Sequence, residues 1–452
     1  MLTVAVVGVF YWNWGSPLAN LDRPEESLER LISREMDLHD AIGDIPAWEL
    51  RLYELTGTQP ETIEDAIARF DGLGDDGRSA RADLDLAVLL GEGGQLDRAA
   101  SLIEALEGTE PETARYAGWL DGAYLDAPPL ADAAQMAEEI RRDLPRDWFT
   151  DTLVRRIATR VDDPEMQADA EASIRARGRS LLARVRALTA IGGAVLLATL
   201  VLLWYLLRAP GGARVANAPL PPRWSGADGL GLFFRAAFGY LLMPALVVML
   251  LGFMEWPRIA LTTALMGLLG GLPMLWWIGR YLHARGDSIR ETFGLRRPGP
   301  GGALRLAGWS IVLLGCSLAG ESVLSIVLGG LGVTSHWADG FLEDFLWGSP
   351  VVVAAGTVDG VIWAPVFEEL AFRGLLYPTL RLHLPPLLAA LLSAGVFGLA
   401  HGYGATGFAA VTWSGMVWAL GYERTRSLLP GMLSHAASNL LATVSFVVLL
   451  RF

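Results

Sequence analysis

Long apolar runs separated by short polar segments fill the second half of the sequence. Each is about 20 residues long or nearly so, which is the length that an α-helix needs to cross the hydrocarbon core of a bilayer. Backbone polar groups are satisfied within such a helix, so runs of this kind indicate spanning helices. They predict an all-α polytopic membrane bundle of about eight transmembrane helices. The runs lie at 188–207, 230–253, 259–279, 306–332, 351–380, 387–401, 405–421 and 428–450.

The preceding part of the chain has a different pattern. It is acidic, and its apolar residues recur three and four positions apart, which predicts a soluble α-helical domain. The stretch from Leu86 to Leu106 resembles one tetratricopeptide-type hairpin with glycine at the turn, although an ordinary helical domain is the favoured alternative because no second copy is visible. The sequence therefore predicts four segments: a short N-terminal membrane anchor within 1–20, an acidic soluble helical domain at 21–180, a transmembrane helix with a linker at 187–229, and a membrane-embedded domain at 230–452.

Composition narrows the class of protein. Hydrophobic residues make up 52% of the chain and charged residues 19%, and both values are shifted toward those of membrane proteins. The net charge is −13, which excludes nucleic acid as an expected partner because phosphate binding needs a basic face. Every basic side chain is arginine, which favours a bacterial source and hence the inner (plasma) membrane. The single cysteine, Cys316, permits no internal disulfide.

Arginine placement predicts the orientation in the membrane. The arginine-rich segment 280–305 is expected on the cytoplasmic side, and the acidic loop 333–349 on the other. The side of the acidic domain stays open: counting spans back from 280–305 places it outside, but five arginines between 175 and 186 favour the inside. Tryptophans near the run ends predict interfacial belts: Trp204, Trp256, Trp276, Trp277, Trp347 and Trp418.

Three ionisable residues interrupt the run at 351–380. On insertion scales Glu368, Glu369 and Arg373 together cost roughly 8–10 kcal/mol, so they are expected to face a polar cavity and to have a function there. Glu369 and Arg373 are four residues apart and share a helix face, whereas Glu368 points to a neighbouring one. Arginine can therefore neutralise Glu369 and leave Glu368 as the free carboxylate, which makes Glu368 the candidate general base.

Two histidines and an asparagine follow in later runs. His401 ends the run at 387–401, and His435 and Asn439 share one face of the last helix, where they could hold a developing oxyanion or ligate a metal. Singly, each residue has a packing explanation, but both membrane histidines coincide with the glutamate pair. Upstream, Pro365 predicts a helix kink because it removes the hydrogen bond to the Val361 carbonyl.

These clusters form an ordered set of motifs. Glu-Glu-x-x-x-Arg at 368–373, Phe-x-x-x-His at 397–401, and His-x-x-x-Asn at 435–439 after Arg-Ser-Leu-Leu-Pro-Gly at 426–431 resemble the CAAX protease and bacteriocin-processing (CPBP, or Abi) family. That family contains the type II CAAX prenyl endopeptidases, and the resemblance covers about residues 230–450.

The resemblance implies a CPBP-type intramembrane protease domain that hydrolyses a peptide bond of a membrane-associated or lipidated protein or peptide. It implies these roles: Glu368 activates the water, His401 helps to hold it, His435 and Asn439 form the oxyanion site, and Glu369 and Arg373 support them.

Cofactors and alternative functions complete the expectations. No bound metal is favoured, since no His-Glu-x-x-His motif occurs; Zn²⁺ or another divalent metal on Glu368, His401 and His435 is the alternative. A non-catalytic bacteriocin-immunity or scaffold membrane protein of the same family stays open, as does a transporter with a midplane ion site. The expected partners are the bilayer, a protein or peptide substrate, and a protein bound through the N-terminal helical domain.

Overall fold

The computed structural model describes residues 17–43, 45–56, 62–74, 78–107, 110–208, 214–251, 265–296 and 302–452. The anchor predicted within Met1 to Trp14 lies outside these residues, and so does Trp256. The regular elements in the described ranges are helices, with no strand, which confirms the predicted all-α class. The chain divides into two compact units, an N-terminal unit formed chiefly by Asn20–Ala187 and a C-terminal unit formed chiefly by Leu188–Val447.

Short helices with polar caps build the N-terminal unit. The Thr62 and Ser79 hydroxyls and the Asp147 carboxylate each accept the backbone N–H three residues on, which satisfies a donor that the helix start leaves unpaired. The helices are α1 Pro24–Ile42, α2 Ala47–Thr56, α3 Ile63–Asp71, α4 Ala80–Glu92, α5 Leu96–Leu106, α6 Pro111–Leu120, α7 Leu130–Asp143 and α8 Trp148–Arg160.

Helices α4 and α5 form the hairpin that resembles a tetratricopeptide unit. The turn between them contains Gly94 at φ 72°, a left-handed conformation that glycine adopts without strain. Helix α4 is buried along most of its length, from Leu84 to Gly91. Whether the unit is tetratricopeptide-like stays a prediction.

Helix α9, Pro164–Arg208, is 45 residues long and continues from the N-terminal unit into the first apolar run. The helices that follow belong to the C-terminal unit: α10 Gly226–Leu251, α11 Met266–Ala284, α12 Ile289–Thr292, α13 Gly302–Gly330, α14 Glu343–Trp347, α15 Pro350–Leu380, α16 Pro386–His401, α17 Ala405–Thr425 and α18 Leu429–Arg451.

Five helices among the described residues are long and apolar enough to cross a bilayer, namely α9, α10, α13, α15 and α18. Helix α16 is apolar but shorter. Helices α11 and α17 occupy two further predicted runs and are not among the five, so the described residues contain fewer spanning candidates than the eight expected; the first part of the run at 259–279 lies outside them. The chain is an integral membrane protein built as a polytopic helical bundle.

The predicted tryptophan belts require side chains on the outside of the bundle. Trp204, Trp276 and Trp347 are exposed, as belt residues should be, and Trp277 is half-buried. The prediction is wrong for Trp418, which is only 3% exposed because it packs inside the C-terminal unit. Position near a run end does not distinguish an interfacial tryptophan from one that faces a neighbouring helix.

Helix α15 is interrupted by two π-helical segments, at Asp359–Trp363 and Glu369–Leu376. In the first, the N–H of Ala364 bonds to the carbonyl of Asp359, five residues back. In that register, proline at position 365 removes the donor for the Gly360 carbonyl. The predicted loss at Val361 presupposes an α-helical register, whereas the π-helical register assigns the loss to Gly360.

Candidate active site

A buried ion pair forms the base of the candidate site. Glu369 and Arg373 are 1% and 0% exposed, and Arg373 Nη1 lies 2.9 Å from Glu369 Oε1. The Arg373 Nε donates to the Gly415 carbonyl at 3.3 Å. Charges buried this deeply are tolerated only when they are paired, so the pair accounts for both residues in an apolar helix.

Two glycines make room for this ion pair. A Cβ at Gly415 would lie 2.5 Å from Arg373 Nη2, and one at Gly431 would lie 3.0 Å from Glu369 Oε2. Helices α17 and α18 can therefore approach α15 closely only because these positions carry no side chain.

Aromatic rings enclose the guanidinium. The Arg373 Cζ lies 4.2 Å from the centroid of the Phe397 ring and 5.1 Å from that of Trp418, distances typical of cation–π contacts. The Phe397 ring also packs against His401 and His435, at centroid distances of 4.6 Å and 5.9 Å. Phe397 thus contacts both of the predicted histidines.

His435 lies between the two carboxylates. Its Nδ1 is 3.4 Å from Glu369 Oε1, and its Nε2 is 3.7 Å from Glu368 Oε2. The ring stacks on Trp418 with centroids 4.2 Å apart and planes 17° apart. Trp418 is fixed in turn, because its Nε1 donates to the Ser434 hydroxyl at 3.0 Å. The imidazole plane is therefore held by packing and both ring nitrogens face acidic groups.

Glu368 differs from Glu369 in its surroundings. Its side chain is 20% exposed, compared with 1% for Glu369. Arg373 forms its ion pair with Glu369, as the four-residue spacing predicts, so Glu368 is the carboxylate with more access from outside the protein interior.

His401 lies at the C-terminal end of α16, where Gly402 at φ 67° ends the helix. Its Nδ1 lies 2.8 Å from the Phe397 carbonyl oxygen, which can only accept a hydrogen bond. The proton therefore belongs on Nδ1, and Nε2 is left as an acceptor. A histidine in this tautomer can accept a hydrogen bond from a water molecule.

Asn439 has a structural partner that the sequence did not reveal. Its Nδ2 donates to the Gly360 carbonyl at 2.7 Å. This is the carbonyl that Pro365 leaves without a donor in the π-helical register, so Asn439 replaces the missing backbone N–H. His435 and Asn439 were predicted to address one point, but in this structure they have different partners.

The candidate metal ligands do not form a metal-holding group. Among the described residues, no three His, Cys, Asp or Glu side chains lie together in a way that could hold an ion. Glu368 and His435 are neighbours, since the Glu368 Oε2 lies 3.7 Å from the His435 Nε2. A three-ligand zinc site would require such a group, and the absence of a bound metal stays a prediction.

Sequence reasoning missed two further carboxylates inside the apolar helices. Glu321 of α13 accepts a hydrogen bond from the Ser414 hydroxyl. The Asp359 Oδ1 accepts the Gly267 N–H at 2.9 Å, near the start of α11. Both were visible as charges within apolar runs. The structural roles of Trp418, Gly415 and Gly431 could not be found in this way, because uncharged residues in an apolar run carry no such signal.

Comparison with known proteins gives one family. Residues 350–441 match the family model described as type II CAAX prenyl endopeptidase Rce1-like. The matched segment is shorter than the 230–450 of the motif resemblance, but it contains all six predicted site residues from Glu368 to Asn439. Comparisons with curated proteins and with solved structures give no significant match. Through residues 350–441, the chain is related to the type II CAAX prenyl endopeptidases and thereby to the CPBP family.

Proposed function

We propose that the chain is an intramembrane endopeptidase that hydrolyses a peptide bond of a membrane-associated or lipidated protein or peptide through a water activated by Glu368. The observation that carries the proposal is that two adjacent glutamates have different partners and different exposure. Arg373 pairs with the buried Glu369, and the more exposed Glu368 lies beside His435. One carboxylate is thereby structural, and its neighbour is left for proton transfer.

The proposed reaction begins with a water placed between Glu368 and His401. Glu368 takes one proton while the Nε2 of His401 accepts a hydrogen bond from the other O–H of the water. The water oxygen attacks the peptide carbonyl carbon, and the carbonyl oxygen becomes an oxyanion. Glu368 then delivers its proton to the leaving amine, the C–N bond breaks, and the products are an amine and a carboxylic acid that carries the second proton of the water.

His435 and Asn439 are proposed to stabilise the oxyanion. Asn439 uses one of its two amide hydrogens on Gly360, so the second can donate to substrate. His435 is held by Trp418 with Nε2 toward Glu368. When Glu368 takes a proton, it loses its negative charge. Its electrostatic attraction for the Nε2 N–H of His435 then becomes weaker. An N–H at Nε2 is then free to donate to the oxyanion as that charge develops.

The remaining proposals concern metal use, the membrane in which the protein lies and the role of the N-terminal unit. No metal is required in this scheme, so activity should survive chelation. The natural location proposed is a bacterial inner membrane, and the N-terminal unit is proposed to bind a protein partner or substrate.

The test compares the membrane peptides and proteins of the native host carrying wild type, Glu368→Gln or Glu321→Gln. The last is a matched control: it makes the same change at another intramembrane carboxylate, and the amide oxygen can still accept from Ser414. We expect at least one uncleaved membrane protein or peptide to accumulate with Glu368→Gln and not with Glu321→Gln. Profiles that are identical for wild type and Glu368→Gln, with both proteins present at equal levels, would favour the non-catalytic immunity or scaffold function instead.

A further inference from the structure

Helix α2, Ala47–Thr56, has one face bound within the N-terminal unit. Glu49 and Tyr53 are 6% and 2% exposed. Arg186 of α9 donates to both oxygens of Glu49, at 2.6 Å and 2.9 Å, and the Tyr53 hydroxyl donates to Glu49 Oε1 at 2.9 Å. The bidentate contact fixes the position of α2 along α9.

The neighbouring face of α2 is apolar and uncovered. Trp48 is 68% exposed and Leu52 is 40% exposed. They are four residues apart, so they lie on the same side of the helix, about 100° around the axis from Glu49 and Tyr53. Arg51, also exposed, lies beside them.

The position along α9 at which α2 is bound indicates what the exposed face of α2 contacts. Arg186 is two residues before Leu188, where the apolar run of α9 begins. At a rise of about 1.5 Å per residue, the backbones of Arg186 and Leu188 are about 3 Å apart along the helix axis. Helix α2 is therefore fixed close in the chain to the start of the apolar run of α9.

The residue types fit the headgroup region. Tryptophan is enriched at the membrane–water interface because its ring is apolar and its N–H is polar. Leucine adds apolar area that can enter the acyl boundary, and arginine meets lipid phosphate. A short helix with Trp, Leu and Arg on its free side is a suitable interfacial anchor, whereas the same residues in water expose a large apolar surface.

We propose that α2 is an interfacial anchor whose partner is the lipid bilayer, with Trp48 and Leu52 inserted at the boundary of headgroups and acyl chains and Arg51 at the phosphates. The anchor would hold the N-terminal unit against the membrane surface. It does not depend on the proposed catalytic function.

The test uses the full chain in nanodiscs with an environment-sensitive fluorophore on one cysteine. In a Cys316→Ala background, Leu52→Cys is labelled and quenched by lipids brominated near the headgroups. Leu130→Cys is the matched control, because Leu130 of α7 is also an exposed leucine, at 57%. We expect a blue-shifted emission at position 52 and quenching at least about twice that at position 130.

A second variant excludes insertion driven by the fluorophore. Adding Trp48→Ser to Leu52→Cys removes the neighbouring anchor residue, so the quenching should fall. Equal quenching at positions 52 and 130 would overturn the proposal. A blue shift at position 52 without bromine quenching would also overturn it, because the face would then be covered by protein and not by lipid.

Discussion

Replacing Arg373 by methionine should destabilise the C-terminal unit severely. The change leaves the Glu369 carboxylate, which is 1% exposed, without its cation. Removing one partner of a buried ion pair typically costs about 3–5 kcal/mol, and the lost contacts with Phe397 and Trp418 add to it. We expect the free energy of unfolding to fall by about 4 kcal/mol, a large fraction of the about 5–15 kcal/mol that stabilises most folded proteins.

Removing both charges should be less harmful than removing one. The double variant Arg373→Met/Glu369→Gln leaves no uncompensated charge, so we expect it to be about 2–3 kcal/mol more stable than Arg373→Met alone. Arg223→Met is the control for the substitution itself. Arg223 lies 3.8 Å from Asp287 and is 76% exposed, so its loss should change stability by less than about 0.5 kcal/mol.

The assay is SDS-induced unfolding in mixed micelles, followed by far-ultraviolet circular dichroism on the four proteins. The expectation is refuted if Arg373→Met is within about 1 kcal/mol of Arg223→Met, well short of the 3–5 kcal/mol expected of a broken buried pair. It is equally refuted if the double variant is less stable than Arg373→Met.

Three further predictions concern a helix contact, a packing contact and pH. Asn439→Ala should cost about 1–3 kcal/mol by the same assay, and adding Pro365→Ala, which restores a backbone N–H, should recover part of the loss. Gly415→Ala should cost about 1–3 kcal/mol because its Cβ would displace the Arg373 guanidinium, whereas Gly329→Ala, which meets no atom within 4 Å, should cost nothing measurable. Burial raises the pKa of Glu29 to about 7 from 4.5, so protonation favours the folded state and stability is lost as pH rises through 7. Thermal and denaturant unfolding of the N-terminal unit should show that Glu29→Gln loses about 3 kcal/mol less stability than wild type between pH 4.5 and 7.5.

The sequence predicts the helical class and the site motifs for one physical reason. Charges inside apolar runs are costly and therefore conspicuous, which is why Glu368, Glu369 and Arg373 stand out in the amino-acid sequence alone. The Glu369–Arg373 pair follows from helical periodicity, since residues four apart share a face.

Features that depend on neighbouring helices could not be predicted in this way. Trp418 has the position of a belt residue, and only the packing of α17 against α18 shows that it supports His435. The partner of Asn439 depends on a π-helical segment in α15, which moves the unpaired carbonyl from Val361 to Gly360. Hydrophobic periodicity does not report such a local change of register.

The main proposal is that Glu368 activates water for peptide-bond hydrolysis. Its most direct test is the cleavage rate of the accumulating substrate by purified full-length protein in liposomes, compared between Glu368→Gln and the matched Glu321→Gln. General-base catalysis contributes about 10²–10⁴-fold, so Glu368→Gln should lose at least about 100-fold in rate while Glu321→Gln stays within a few-fold of wild type. Cleavage by folded Glu368→Gln at the wild-type rate would contradict this role of Glu368.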